Sequence, residues 1–148
     1  MSDLKQRIND DVKTAMRSKE KELLAVLRLI LAAIKQIEVD QRIELDDEQI
    51  IAVLDKLAKQ HRDSITQFDD ADRKDLADKE RYELDIVQRY LPTALTEEEL
   101  TQLIDQAIAD TGASSVKDMG KVMGILKSKA QGRADMGKVS GLVKTKLA

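Results

Sequence analysis

The sequence predicts an all-α protein, with an N-terminal four-helix bundle over residues 1–92 followed by a small three-helix tail domain over residues 93–148. Three observations carry this reading. Apolar residues recur at helical spacing along nearly the whole chain, proline occurs once in 148 residues, and no segment alternates apolar and polar residues as a half-buried strand would. Pro92 discourages helix at Leu91 and so marks the boundary between the two parts.

The first helix is expected from about Asp3 to Arg17, with Leu4, Ile8, Val12 and Ala15 on one face and Met16 beside it. A second runs from about Lys19 to Val39. Between Leu23 and Ile34 it is apolar nearly all round, which predicts a central position, and its one charge there, Arg28, calls for an internal carboxylate such as Glu83 or Asp85. A third helix starts after Asp46, whose side chain can cap while Gln49 reaches back, and carries Ile50, Leu54, Leu57, His61, Ile65 and Phe68 toward the core. From Asp69 to Glu83, 11 of 15 residues are charged. The spacings Asp69/Arg73, Asp70/Lys74 and Asp75/Lys79 suit exposed helical ion pairs, with a turn near Asp70 to Asp72. The fourth helix ends in Ile86, Val87, Tyr90 and Leu91.

Thr96 and Glu99 stand at capping-box spacing ahead of Leu100, Leu103, Ile104, Ala107 and Ile108, and Gly112 supplies a left-handed stop. Two short helices follow, about Lys117 to Ala130 and Met136 to Leu147, separated by Gln131-Gly132-Arg133-Ala134. Ser115 and Asp118 are also spaced as a capping box, which would start the first of these earlier.

Composition narrows the chemistry. The chain has no cysteine, which excludes disulfides, thiolate metal sites and cysteine nucleophiles. The run from Leu23 to Ile34 is shorter than the roughly 18 residues of a membrane span. The N-terminal Met1-Ser2-Asp3-Leu4-Lys5 has neither a signal-peptide apolar region nor a transit pattern, so a cytoplasmic address is expected, with no membrane partner.

A net charge of -3 conceals an asymmetry. Residues 1–112 hold 17 basic against 26 acidic side chains, whereas residues 113–148 hold 8 against 2. Such a division points to an anionic partner for the basic part.

That part contains a near repeat, in which Asp118-Met119-Gly120-Lys121-Val122-Met123-Gly124 corresponds to Asp135-Met136-Gly137-Lys138-Val139-Ser140-Gly141. With each Asp as a cap, each Gly lies in a first turn that exposes backbone N–H groups. Each Lys then stands at the positive end of a helix dipole, where an anion would stabilise it. Lys121, Arg133 and Lys138, with Gly120, Gly137, Lys127 and Lys144, are the expected RNA-backbone face. Glycines that let similar helices pack closely, with lysines merely solvated, are the bland alternative.

Catalytic readings find no support. His61 is the only histidine, and its place on an apolar stripe makes it a core-edge or capping residue. Acids such as Asp63 and Glu83 can pair, but among 28 acidic residues none is singled out. Gly120-Lys121 is not followed by Ser or Thr and is no phosphate-binding loop. No catalytic residue, metal set or cofactor is expected.

Several segments together are specific. They are Lys59-Gln60-His61-Arg62-Asp63-Ser64 with Phe68, Ala71 with Arg73, Asp75 and Leu76, and Tyr90-Leu91-Pro92. Asp118 to Gly124 and Gly132-Arg133-Ala134-Asp135 complete the set. On these the chain resembles the YqeY-like proteins, which are similar to the C-terminal tail of the GatB subunit of the tRNA-dependent amidotransferase. Asp72 stands where that family usually has Gly, and His61 where Arg is common.

The resemblance implies a helical bundle with a small helical tail and a relation to amidation of Glu-tRNA or Asp-tRNA. It does not bring the glutaminase or kinase parts of that enzyme. The expected function is therefore a non-catalytic tRNA-binding or tRNA-associated accessory protein. The alternative is a protein-interaction adaptor, whose signature would be an exposed apolar patch on helix one or two. An enzyme is the weakest reading and would need a pocket with carboxylates converging on His61.

Overall fold

A computed structural model describes residues 2–148. Among these residues the fold is all-α, with seven α-helices, one 3-10 turn and no strand. The chain divides into two compact units, one ending at Leu91 and the other Pro92–Ala148.

The first unit contains α1 (Asp3–Arg17), α2 (Lys21–Gln41), α3 (Asp47–Asp70) and α4 (Lys74–Gln88). Its core is built from Ile8, Leu27, Ile30, Ile34, Ile50, Leu54, Ile86 and Val87, all essentially sealed from water. Helix α3 begins as its sequence directs, because Asp46 accepts from the Gln49 amide while the Gln49 side chain accepts from the Asp46 amide. Helices α3 and α4 form an antiparallel hairpin whose turn places Asp72 at φ +57°. That is the left-handed region where glycine is unstrained, so the turn persists with Asp in a position suited to Gly.

Several expectations for this unit are corrected. Helix α2 is not buried all round: Ala25, Arg28, Leu29, Ala32 and Val39 are exposed, and Leu29 keeps 61% of its surface. Arg28 consequently needs no internal carboxylate, since water solvates it, and Asp85 pairs with Arg89 instead, at 3.0 Å. The three expected ion pairs after Asp69 are also absent. The helix breaks between Asp70 and Lys74, so Asp69 reaches Arg81 on α4, while Asp75 accepts from Arg73 at 3.3 Å. Helix α4 stops at Gln88, and Tyr90 lies beyond it, buried, with its hydroxyl donating to Asp11 at 2.5 Å.

The second unit contains α5 (Glu97–Thr111), the 3-10 turn Val116–Asp118, α6 (Met119–Ala130) and α7 (Met136–Leu147). Thr96 and Glu99 close a complete capping box, three glutamates in the first turn complement the helix dipole, and Gly112 ends α5 at φ +66°. Leu100, Ile104, Val122, Leu126, Val139, Val143 and Leu147 fill the core. Ser115 forms no capping box with Asp118. The Asp118 carboxylate accepts from the Ser114 amide at 3.1 Å, a 3-10 turn intervenes, and α6 begins only at Met119.

Candidate functional site

The basic residues singled out by sequence lie on α6, α7 and the link between them. Lys121, Lys127, Lys138 and Lys144 are exposed. Gly120 and Gly137 both fall in first turns, but the amides there are unequal, because the Asp135 side chain already accepts from Gly137 at 2.9 Å. Lys138 stands 3.4 Å from Glu97.

Arg133 is turned inward on its own unit. Its Nε donates to the Thr93 carbonyl at 2.9 Å, and its carbonyl accepts from Leu95 at 2.8 Å. It fastens the α6–α7 link to the segment that precedes α5. A Cβ added at Gly120 would meet nothing within 4 Å, so close helix packing does not account for that glycine.

The first unit brings together side chains that sequence left apart. Glu38, on α2, is its one buried charged residue among those described. It accepts from Lys5 Nζ at 2.8 and 3.0 Å and from the Leu45 amide at 3.0 Å. The Lys5 hydrogen bond, followed by the Leu45 amide, holds the carboxyl below its ordinary pKa against the opposing effect of burial. Asp47 is likewise lowered, by Ser2 and then by the Leu4 amide it accepts from at 3.1 Å. Burial first, then the Asp11 carboxylate, raise Tyr90 well above the ordinary phenol value. The Arg7 guanidinium lies 4.9 Å from the Tyr90 ring centroid. Arg7, Asp11, Thr14, Glu20, Arg89 and Tyr90 contribute to a cavity of about 200 Å³ over Ala15, Leu23 and Ile86.

The most concentrated chemistry is at His61. On α4, Glu80 and Glu83 are three residues apart and therefore share a face, and both point at the one histidine on α3. His61 Nδ1 is 2.6 Å from Glu80 Oε2 and 3.7 Å from Glu83 Oε2, with all three side chains half-buried. Asp63, named with Glu83 from sequence, is exposed and takes no part. His61 stays part-buried at the edge of the core, and the structure gives it two carboxylate partners that the sequence alone did not single out. One imidazole and two carboxylates, with donor atoms all within 4.8 Å, are also a set able to ligate a metal ion.

No helix among the described residues is long and apolar enough to cross a membrane.

Comparison with known proteins changes the functional frame. Residues 5–147 match the family model described as Yqey-like protein. The chain is similar to proteins called "Altered inheritance of mitochondria protein 41, mitochondrial". That of Pyrenophora tritici-repentis is 34% identical over 131 residues, covering 86% of this chain and 71% of the relative. That of Saccharomyces cerevisiae is 32% identical over 124 residues, 83% of this chain and 60% of the relative. For Eremothecium gossypii the figures are 37% over 95 residues, 62% and 52%. The chain thus spans little more than half the length of some of these relatives.

Two expectations are overturned by these names. The tRNA-binding accessory role gives way because the relatives are named for the inheritance of mitochondria. Physically, surplus lysines on short helices are a generic feature, and two of the proposed contacts, Arg133 and Lys138, already have intramolecular partners. The cytoplasmic address gives way because the same relatives are named as mitochondrial. It had rested on a missing N-terminal pattern alone. Neither the family nor these names suggest catalysis. With its model matching all but the ends of the chain, the family is clear: this protein belongs to the YqeY-like family.

Proposed function

We propose that this chain serves the inheritance of mitochondria, the process for which its relatives are named, and works there as a helical protein without catalysis of its own. The observation that carries the reading is the 34% identity with the Pyrenophora protein across 86% of this chain. Similarity of that extent spans both units rather than one motif. The non-catalytic part is supported by how the titratable groups are used. Glu38, Asp47 and Tyr90 have displaced protonation, and each is engaged in joining one segment of the first unit to another.

The test is complementation. A yeast strain lacking its own relative receives this chain behind a mitochondrial leader, and transmission of functional mitochondria to daughter cells is scored. Restoration of normal transmission supports the role. A chain that reaches the organelle, folded, and leaves transmission defective overturns it.

A further inference from the structure

We propose that His61, Glu80 and Glu83 form a binding site for a divalent transition-metal cation, of which Zn2+ is the representative. Two carboxylates converge on a single ring nitrogen that has one proton to offer. Glu80 takes it at 2.6 Å, leaving Glu83 at 3.7 Å, beyond hydrogen-bond reach. Glu83 is only 14% exposed and has no other ion pair or hydrogen bond among the described residues. Of the two basic residues flanking Glu80 on α4, Arg81 is directed to Asp69 and Asp78, and Lys79 is exposed and forms no ion pair with either glutamate among the described residues. The cluster therefore holds two negative groups against at most one positive charge, in a half-buried setting where that imbalance is unfavourable.

A dication resolves it. Zinc bound by one imidazole nitrogen and carboxylate oxygens takes ligands at about 2.0–2.2 Å, which places neighbouring donors roughly 3.3–3.5 Å apart. The separations from Nδ1, 2.6 and 3.7 Å, bracket that spacing, and with all three donor atoms within 4.8 Å of one another, side-chain rotation closes the set around one ion. On binding, the cation takes the place of the Nδ1 proton, which is released to water from an imidazolium or relocates through solvent to Nε2 in a neutral ring; either way a neutral imidazole is the ligand, and solvent completes the coordination. The three ligands also come from both arms of one hairpin, so an ion would tie α3 to α4 near its middle. The inference stands independently of the role in mitochondrial inheritance.

The full-length protein, stripped of metal, is titrated with Zn2+ by calorimetry and with Co2+ by visible absorbance, whose ligand-field bands report nitrogen and oxygen donors. One equivalent of each ion is expected to bind. Affinity should fall at least tenfold in Glu83→Gln, which keeps the side chain's shape, and binding should be lost in His61→Arg. Glu97→Gln, in the second unit, should bind as the parent does. Circular dichroism checks that each variant is folded, and if His61→Arg is not, Glu83→Gln decides alone. Absence of stoichiometric uptake by the parent, or equal uptake by Glu83→Gln, would overturn the site and leave the cluster as an ion pair between helices.

Discussion

The two units of the chain are both helical, yet they use charge in opposite ways. In the first, polar side chains bridge segments far apart in sequence: Lys5 to Glu38, Tyr90 to Asp11, Leu4 to Asp47, His61 to Glu80. In the second, polar groups mostly serve nearby backbone, as in the Thr96 and Glu99 capping box and the Asp135 cap, and most lysines are left to solvent. A charge surplus on one part of a chain is thus ambiguous evidence for a partner. The acidic unit consumes many of its charges in building itself, and the basic unit stands out partly because it does not.

Core truncation gives the largest effect and the sharpest test of this division. Leu27→Ala should cost about 2–5 kcal/mol, felt as loss of amide-exchange protection in α1 to α4, with α5 to α7 retaining theirs. Simultaneous loss in both units would break the comparison, since it would mean that they fold as one. Next comes Glu38→Gln, which removes the charge that Lys5 and the Leu45 amide address and should lower the melting temperature of the first unit by several degrees.

The same group gives a pH dependence. Its folded pKa is lowered, so its contribution is complete above the ordinary carboxylate range. That contribution is lost as the pH falls through the lowered folded value. Acid titration of parent and Glu38→Gln should therefore converge at low pH and separate above it.

Local devices rank below these. Thr96→Ala should destabilise the second unit by about 1 kcal/mol, read from its thermal or denaturant transition. Asp72→Gly should stabilise the first unit by roughly 0.5–1 kcal/mol, by relieving a left-handed residue at the α3–α4 turn. Smallest of all, Asp105→Asn, which removes the exposed partner of Lys146, should change stability by less than about 0.5 kcal/mol.

What was legible in the sequence was what short-range physics decides. The all-helical class follows from periodicity, and the caps at Asp46, Thr96 and Gly112 involve residues no more than five positions apart. What was not legible depends on helix register in space. Glu38 reads as an ordinary charge near the end of α2, and only the arrival of Lys5, 33 residues earlier, and of the Leu45 loop makes it a buried anchor. His61 and Glu83 stand out in the sequence one at a time, but nothing local says that a turn at Asp72 brings His61 face to face with Glu83 and Glu80. Arg28 erred the other way: an apolar neighbourhood in sequence suggested burial, and the helix presents that side to water.

The placement of Tyr90 has an optical consequence. The chain has two tyrosines, one phenylalanine and no tryptophan, and all three aromatic rings precede Pro92. Near-ultraviolet absorbance and dichroism therefore observe the first unit alone, with Tyr90, buried and bonded to Asp11, supplying the asymmetric signal. Far-ultraviolet dichroism sums helices from both units. A single unlabelled sample heated once in a spectropolarimeter carries two channels, and the gap between the two melting curves measures how independently the halves of this protein unfold.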